Sequence, residues 1–359
     1  MPSEAAPQAA PGTATTPPRA AHRIDRAALE RYLAAHVPAA APIGAIGQFA
    51  AGQSNPTYLI EGPERRFVLR KKPPGTLLPS AHLVEREYRI LAALAETDVP
   101  VPRVHHLCED PGIIGTAFYV MDHVEGAVDQ DPAWPALAPE RRRALYASMA
   151  DVLARLHGVD WRALGLADFG REGNYIARQI RRWSGQYEAS QTGEIAEMDR
   201  LIAWLPDHIP EDDETTIVHG DYRPGNLIVH PTEPRIAAVL DWELSTLGHP
   251  LSDLAHNCLA FSIPRGASAL PGLGGADFAA LGLPAEEDYR DAYCERAGRG
   301  PIADWRFYMA FAFFRMAAIC QGVYARGLKG NASAANAHEY GDRARALAAL
   351  GWEKASGPA

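Results

Sequence analysis

Short apolar runs broken by turn-forming residues occupy the early part of the chain, and apolar residues at helical spacing occupy the rest. Gly44 to Ala50, Thr57 to Ile60 and Arg66 to Arg70 predict strands of an antiparallel sheet. Asp25 is placed to cap a helix over Ala27 to His36, and Ser80 to cap one running through Ala95. Val104 to Leu107 and Ala117 to Met121 add strands, and His123 to Gly126 begins a crossing into a helical region. From Pro139 onward helices dominate: one closed by Leu153, Leu156 and His157, another over Tyr175 to Ala189, a third over Trp305 to Leu328. The expected fold class is therefore α+β and two-lobed, with a small antiparallel β lobe and a larger, mainly helical lobe. The expected boundaries are a disordered tail at 1–22, rich in Ala, Pro and Thr, an N-terminal lobe at 23–122 and a C-terminal lobe at 123–359.

Within the helical part the pattern changes once more. Ile228 and Val229, then Ile236 to Leu240, predict two buried strands flanking a polar turn, His230 to Arg235. Asp221 and Asn226 precede this hairpin and Asp241 ends it. A protein-kinase catalytic loop has this layout: a base Asp, a metal-binding Asn five positions later, and a second metal-binding Asp beyond the next hairpin. Phosphoryl transfer asks little covalent work of the protein. It needs one carboxylate to orient the acceptor hydroxyl, and oxygen ligands to hold magnesium against the phosphates. A single Asp or Asn in a loop ordinarily makes an Asx turn or a cap, so the spacing of all three carries the reading. A competing reading takes His219, Asp221, Asp241, His249, Asp253 and His256 as ligands of a metallohydrolase, which leaves Asn226 without a role.

His219-Gly-Asp221-Tyr-Arg-Pro-Gly-Asn226 and Asp241-Trp-Glu243 resemble the motifs of the aminoglycoside phosphotransferase and choline kinase-like superfamily. Gly52 to Tyr58, Leu69 to Ser80, Asn174-Tyr175, Arg178-Gln179 and Gln321 to Tyr324 are more specifically similar to the kinase-like domain fused in animals to acyl-CoA dehydrogenases. The resemblance spans roughly Ala27 to Trp352. It implies a protein-kinase-like fold, ATP and Mg2+ as cofactors, and transfer of the γ-phosphoryl group to a hydroxylated small molecule. A 4-hydroxyacyl-CoA is the expected acceptor. The alternatives are an aminoglycoside or other small-molecule kinase, a nucleotide-binding module without transfer, and the metallohydrolase.

The resemblance also distributes roles. Asp221 is the expected base, and Asn226 and Asp241 the magnesium ligands. Ser54 and Asn55, between two strands, are expected at the nucleotide phosphates. The phosphate-pairing cation falls among Arg70, Lys71 and Lys72, with Arg70 the choice, and its carboxylate partner is Glu85 or Glu87, with Glu87 the choice. Backbone around Met121 and Val124 is expected to meet an adenine edge. His219 is expected to brace the loop with Asp253 as buried partner. Arg178, Arg182, Arg315 and Tyr324 are expected to wall the acceptor pocket, since arginine suits a CoA phosphate.

Composition narrows the partners. A chain of 359 residues, 47% hydrophobic and 22% charged, can bury a substantial core, and a net charge of −9 argues against nucleic acid and anionic membranes as partners. Cys108, Cys258, Cys294 and Cys320 show no paired metal-ligand spacing, which predicts reduced thiols in a cytoplasmic protein. No apolar run reaches the expected length of a membrane span. The sequence leaves the oligomeric state open.

Overall fold

A computed structural model of the protein describes residues 14–49, 55–73, 83–266, 271–329 and 337–357. Its strands are β1 (Thr15–Thr16), β2 (Ile46–Phe49), β3 (Thr57–Glu61), β4 (Arg66–Lys71), β5 (Val104–Cys108), β6 (Phe118–Asp122), β7 (Thr216–Val218), β8 (Leu227–Val229), β9 (Ile236–Val239) and β10 (Thr246–Gly248). Its helices are α1 (Arg26–His36), α2 (Val84–Leu94), α3 (Pro111–Ile114), α4 (Pro139–His157), α5 (Tyr175–Ser190), α6 (Ala196–Trp204), α7 (Pro250–Ser262), α8 (Phe278–Leu281), α9 (Glu286–Ala297), α10 (Trp305–Leu328) and α11 (Tyr340–Ser356). The fold is α+β, and the described residues form two compact units. The first holds those up to Asp129 together with Gly225–Glu243, and the second holds Gln130–Pro224 and those from Leu244 onward. The sequence reading put the boundary at 122/123 and kept 225–243 with the helices.

That grouping has a physical reason inside the first unit. The β8–β9 hairpin is stitched to it by the Ala127↔Val229 bridge and by the Val239 amide donating to Pro100 O at 2.9 Å. Gly126 makes the approach possible: its φ is +151°, and a Cβ there would lie 2.2 Å from Val229 O. The sheet runs β1-β2-β3-β4-β6-β5 with every pairing antiparallel. Leu29 and Leu33 of α1 enter a core with Tyr58, Ile60, Phe67, Leu69, Phe118 and Val120. Period-two alternation then turns Val68 and Arg70 to the opposite face, where α2 buries Val84, Glu87, Ile90, Leu91 and Leu94.

Two expectations change here. Residues 14–22 of the expected tail are ordered: Thr15 and Thr16 pair with Phe49 and Gln48, Arg19 N donates to Gln48 Oε1 at 2.9 Å, and the Tyr58 hydroxyl donates to His22 O at 2.6 Å. The β-branched pair extends the sheet edge. Residues 1–13 of that tail lie outside the described residues. The α2 helix begins at Val84, and Ser80, the expected cap, also lies outside them.

In the second unit α10 is the central helix, packed by α5, α7 and α11. Contrary to expectation, α10 is long and apolar enough to cross a membrane, yet 72% of its most apolar window is buried within the protein. A helix apolar on all sides and so enclosed is a core helix. It buries Phe307, Phe311, Phe313 and Phe314. At Gly351 on α11, a Cβ would meet Phe313 Cβ at 3.0 Å and a Leu201 methyl at 3.1 Å, so the two helices touch there through bare backbone. Gly351→Leu should overpack this contact and cost about 1–3 kcal/mol. Ala349→Leu, on the exposed side of the same helix, should stay within about 0.5 kcal/mol. Urea titration reads both, and equal midpoints for the two variants would contradict this packing.

Candidate active site

In the first unit the site is built around one guanidinium. Arg70 lies on β4, with Thr57 and Tyr119 as its cross-strand neighbours. Its Nε is 2.7 Å from Glu87 Oε2, and its Nη2 donates to Asp241 Oδ1 at 2.6 Å and lies 3.8 Å from Glu243 Oε2. Glu87, 1% exposed, also accepts from Asn55 Nδ2 at 2.7 Å and from the Tyr119 hydroxyl at 3.2 Å. Burial pushes the Glu87 carboxyl up, and the Arg70 charge opposes that. Burial likewise disfavours the Arg70 charge, but Glu87, then Tyr119, Asp241 and Glu243 hold its proton far above the ordinary arginine value. An arginine that cannot lose its proton, facing a carboxylate that accepts from two further donors, is an ion pair.

This settles the register among the cations. Arg70 points to Glu87, Lys72 pairs with Glu85, and Lys71 faces the other side of the sheet, where burial lowers its pKa. Asn55, expected to meet a phosphate, is fully buried and gives its amide to Glu87. Ser54 lies outside the described residues. Met121 is buried on β6, paired with Val68 and Val104, and Val124 is half-buried two residues beyond that strand. In the hairpin, Leu240 N donates to Asn226 O at 2.8 Å, and Asp241 follows in a left-handed conformation, φ +65°. A non-glycine residue held there marks a turn whose surroundings fix it. The Trp242 indole fastens the next residue by donating to Val239 O at 3.0 Å.

In the second unit β7 pairs with β10 and delivers His219, Gly220 and Asp221. Five backbone groups of this turn have partners. Asp253, in the first turn of α7, accepts from His219 N at 2.5 Å and from Gly220 N at 2.8 Å. Gly220 O accepts from Arg315 Nη2 at 2.7 Å, Asp221 N donates to His219 Nδ1 at 3.1 Å, and Tyr222 O accepts from Asn257 Nδ2 at 3.1 Å. Gly220 must be glycine: φ is +85°, and a Cβ would sit 2.8 Å from Leu244 O. Burial alone would raise Asp253, but His157, His219 and the Gly220 amide hold it below the usual carboxylate range. His157 Nε2 is 3.6 Å from Asp253 Oδ2, and its Nδ1 meets the Tyr293 hydroxyl at 2.7 Å.

The Asp221 side chain has its own holders. His256 Nε2 is 2.9 Å from Oδ1, and Arg223 Nε is 3.2 Å from both oxygens while Arg223 Nη1 donates to Gln130 Oε1 at 2.7 Å. Burial would raise Asp221, but His256, Arg223 and His219 outweigh it and keep the carboxyl well below the ordinary range.

The sequence reading missed Tyr119, His157 and Arg223, and weighed His256 only as a metal ligand. For His256 a signal existed: it follows Asp253 by three residues, which puts both on one face of a helix. Asp253 does brace His219, through the backbone amide. Arg315 is 7% exposed and its Nη2 donates to the loop carbonyl of Gly220, so it is a loop brace where an acceptor contact was expected. Arg178 donates to Gly173 O and Arg171 O, Arg182 is exposed with its guanidinium 5.2 Å from the Trp183 ring centroid, and the Tyr324 ring packs against Gly341. Among the described residues no three His, Cys, Asp or Glu side chains converge as a metal cluster. The metallohydrolase candidates have other partners: His249 stacks on Tyr308 at 5.1 Å, and His256 and Asp253 serve the loop.

Comparisons with known proteins bear on the family and the fold. Mouse acyl-CoA dehydrogenase family member 10 is 50% identical over 344 residues, which are 95% of this chain and 32% of the relative. Chicken acyl-CoA dehydrogenase family member 11 is 43% identical over 352 residues, 96% of this chain and 45% of the relative. The chain thus spans a third to less than half of these relatives. A Ralstonia eutropha JMP134 structure, solved as a candidate aminoglycoside phosphotransferase, is 48% identical with a TM-score of 0.85, covering 93% of this chain and 98% of that one. A thermostable mutant of aminoglycoside phosphotransferase APH(4)-Ia, in ternary complex with ADP and hygromycin B, shares the fold at a TM-score of 0.61 and 14% identity over 92% of this chain and 100% of that one. Residues 45–293 match the phosphotransferase enzyme family. The chain belongs to that family, and its class is that of an ATP-dependent phosphotransferase acting on small molecules.

Proposed function

We propose that the chain transfers the γ-phosphoryl group of ATP to the hydroxyl of a 4-hydroxyacyl-CoA, with magnesium bound. The observation that carries the reading is Arg70, shared between Glu87 and Asp241. It joins a fixed cation for phosphate oxygens to a carboxylate suited to a metal. Asn226 and Asp241 offer a carboxamide and a carboxylate, hard oxygen donors that suit magnesium. Bound there with the nucleotide, the ion would supply neutralisation of the phosphate charge. The rest is work for the chain. Arg70, held by Glu87, steadies the phosphates through a rigid fork of donors. Asp221 accepts a hydrogen bond from the acceptor hydroxyl, aims its oxygen, and takes its proton as the phosphoryl group moves. A carboxylate held so far below its ordinary range is a weak base, so orientation is the larger part of its role. It stays ionised as pH falls to about 4, the ordinary Asp value.

The acceptor class is supported by the names of the relatives, whose dehydrogenase titles point to acyl-CoA chemistry. An aminoglycoside acceptor is the second reading, because the Ralstonia structure carries that description. A polyamine substrate calls for an open acidic rim, and Asp207 to Glu214 is the acidic segment available. Two of its five acids are engaged within the chain: Asp213 accepts from Asn174 N at 2.8 Å and Glu214 pairs with Arg299, while Asp212 lies 4.0 Å from His249. That favours the acyl-CoA.

Mass spectrometry of a 4-hydroxyacyl-CoA incubated with magnesium and ATP tests the proposal, with an aminoglycoside mixture in parallel. Wild type should add one phosphate to the CoA ester, and Asp221→Asn should lower turnover by roughly 10²-fold or more while binding nucleotide normally. Phosphate on the aminoglycosides alone would overturn the acceptor, and full turnover by Asp221→Asn would overturn the base. A second prediction separates the two glutamates of α2. Glu87→Gln leaves the buried Arg70 short of a charge partner and should cost about 3–5 kcal/mol. Glu85→Gln breaks a partly exposed pair and should cost about 1 kcal/mol or less in the same urea titration. Equal losses would contradict Glu87 as the partner.

A further inference from the structure

We propose that His256 is a positioning residue for the Asp221 base, holding its carboxylate in one orientation as an ionised acceptor. The inference rests on the reading of Asp221 as the base.

The geometry is specific. His256 Nε2 lies 2.9 Å from Asp221 Oδ1, and the imidazole is buried. An ionised carboxylate can only accept, so Nε2 carries the hydrogen and donates it. The other ring nitrogen, Nδ1, is buried and has no partner among the described residues. Nε2 is therefore the ring nitrogen that engages a partner. This ring is built to give one hydrogen bond, and Asp221 receives it.

Its mounting matters as much as its distance. His256 and Asp253 share one face of α7, three residues apart. Asp253 fixes the backbone amides of His219 and Gly220, and His256 fixes the side chain of the next residue. One helix therefore sets both the position of the loop and the rotation of its carboxylate. Arg223, the other side chain holding the Asp221 carboxylate, is a different kind of contact: it sits two residues away on the same loop with its side chain 42% exposed. Such a pair is weak and free to reorganise. Among the described residues, the groups that lower the Asp221 carboxyl include His256 from α7 and Arg223 and His219 from the loop. Of these only His256 combines burial, a helix mounting and direct contact with the carboxylate oxygen.

The test uses the full chain with magnesium and ATP, reading transfer both to a 4-hydroxyacyl-CoA and to water. His256→Leu removes the donor. Because a misplacement of about 1 Å at a reacting group costs on the order of 10²-fold, kcat should fall roughly 10- to 100-fold while nucleotide affinity and acceptor KM stay within about 3-fold. His256→Gln places an amide N–H near the lost Nε2–H and should recover most of that loss. In an Asp221→Asn background, His256→Leu should cost little more, since the group it positions is gone. A merely structural histidine predicts otherwise: no rescue by glutamine, and a full additional loss in the Asp221→Asn background. Either result overturns the proposal. If Asp221→Asn keeps full turnover, the base reading fails on its own account, and the inference falls with it. Should no transfer be measurable, nitrogen-15 NMR of the His256 ring decides. The Nε2–H tautomer in wild type, lost in Asp221→Ala, supports the contact, and a ring indifferent to Asp221→Ala overturns it.

Discussion

The guanidinium of Arg70 is the element on which the polar cluster of the first unit depends. It is nearly buried, and a buried cation is tolerable only where carboxylates and hydrogen bonds compensate it. Glu87 supplies one compensating charge from a helix, and Asp241 supplies the other from a hairpin distant in sequence. The need to satisfy one ion therefore ties β4, α2 and the β8–β9 hairpin together. Asn55 and Tyr119 close the shell by donating to Glu87, so truncating any member leaves another buried polar group exposed to the loss.

The loop that carries Asp221 is held by a different principle. Backbone amides and carbonyls of residues 219–222 are fixed one by one, by Asp253, Arg315 and Asn257, before any side chain is aimed. Asp253 offers two oxygens to two successive amides, and Gly220 supplies the left-handed turn that follows them. With the chain so fixed, a carboxylate on it inherits a narrow range of positions. Preorganisation of this kind is what a reaction governed by orientation requires.

The parts of the site legible in the sequence are those encoded at short range. Asp221, Asn226 and Asp241 stood out because a loop and a hairpin fix their spacing whatever the rest of the chain does. Strand alternation and helix phase left Arg70, Lys71 and Lys72, and Glu85 and Glu87, open, and the resemblance chose Arg70 and Glu87, which pair in the fold. The partners of the Asn55 and Arg315 side chains were not legible for one reason. Each is a polar residue whose partner lies far along the chain, Glu87 for Asn55 and Gly220 for Arg315, and pattern alone cannot say whether such a group faces solvent, ligand or a buried acceptor. Thr15 and Thr16 were hidden by the Ala- and Pro-rich segment around them, which masks a short edge strand. The apolar length of α10 was likewise underestimated, because its interior arginine, Arg315, breaks the run in sequence yet is buried in the fold, donating to Gly220 O.

The central claim is that Asp241 links the Arg70 cation to a magnesium-bound nucleotide, and ATP affinity measured with and without magnesium in Asp241→Ala tests it most directly. Wild type should bind ATP more tightly with magnesium than without it. Asp241→Ala should lose that difference while still binding metal-free nucleotide. An Asp241→Ala protein that keeps the full magnesium dependence would contradict the account.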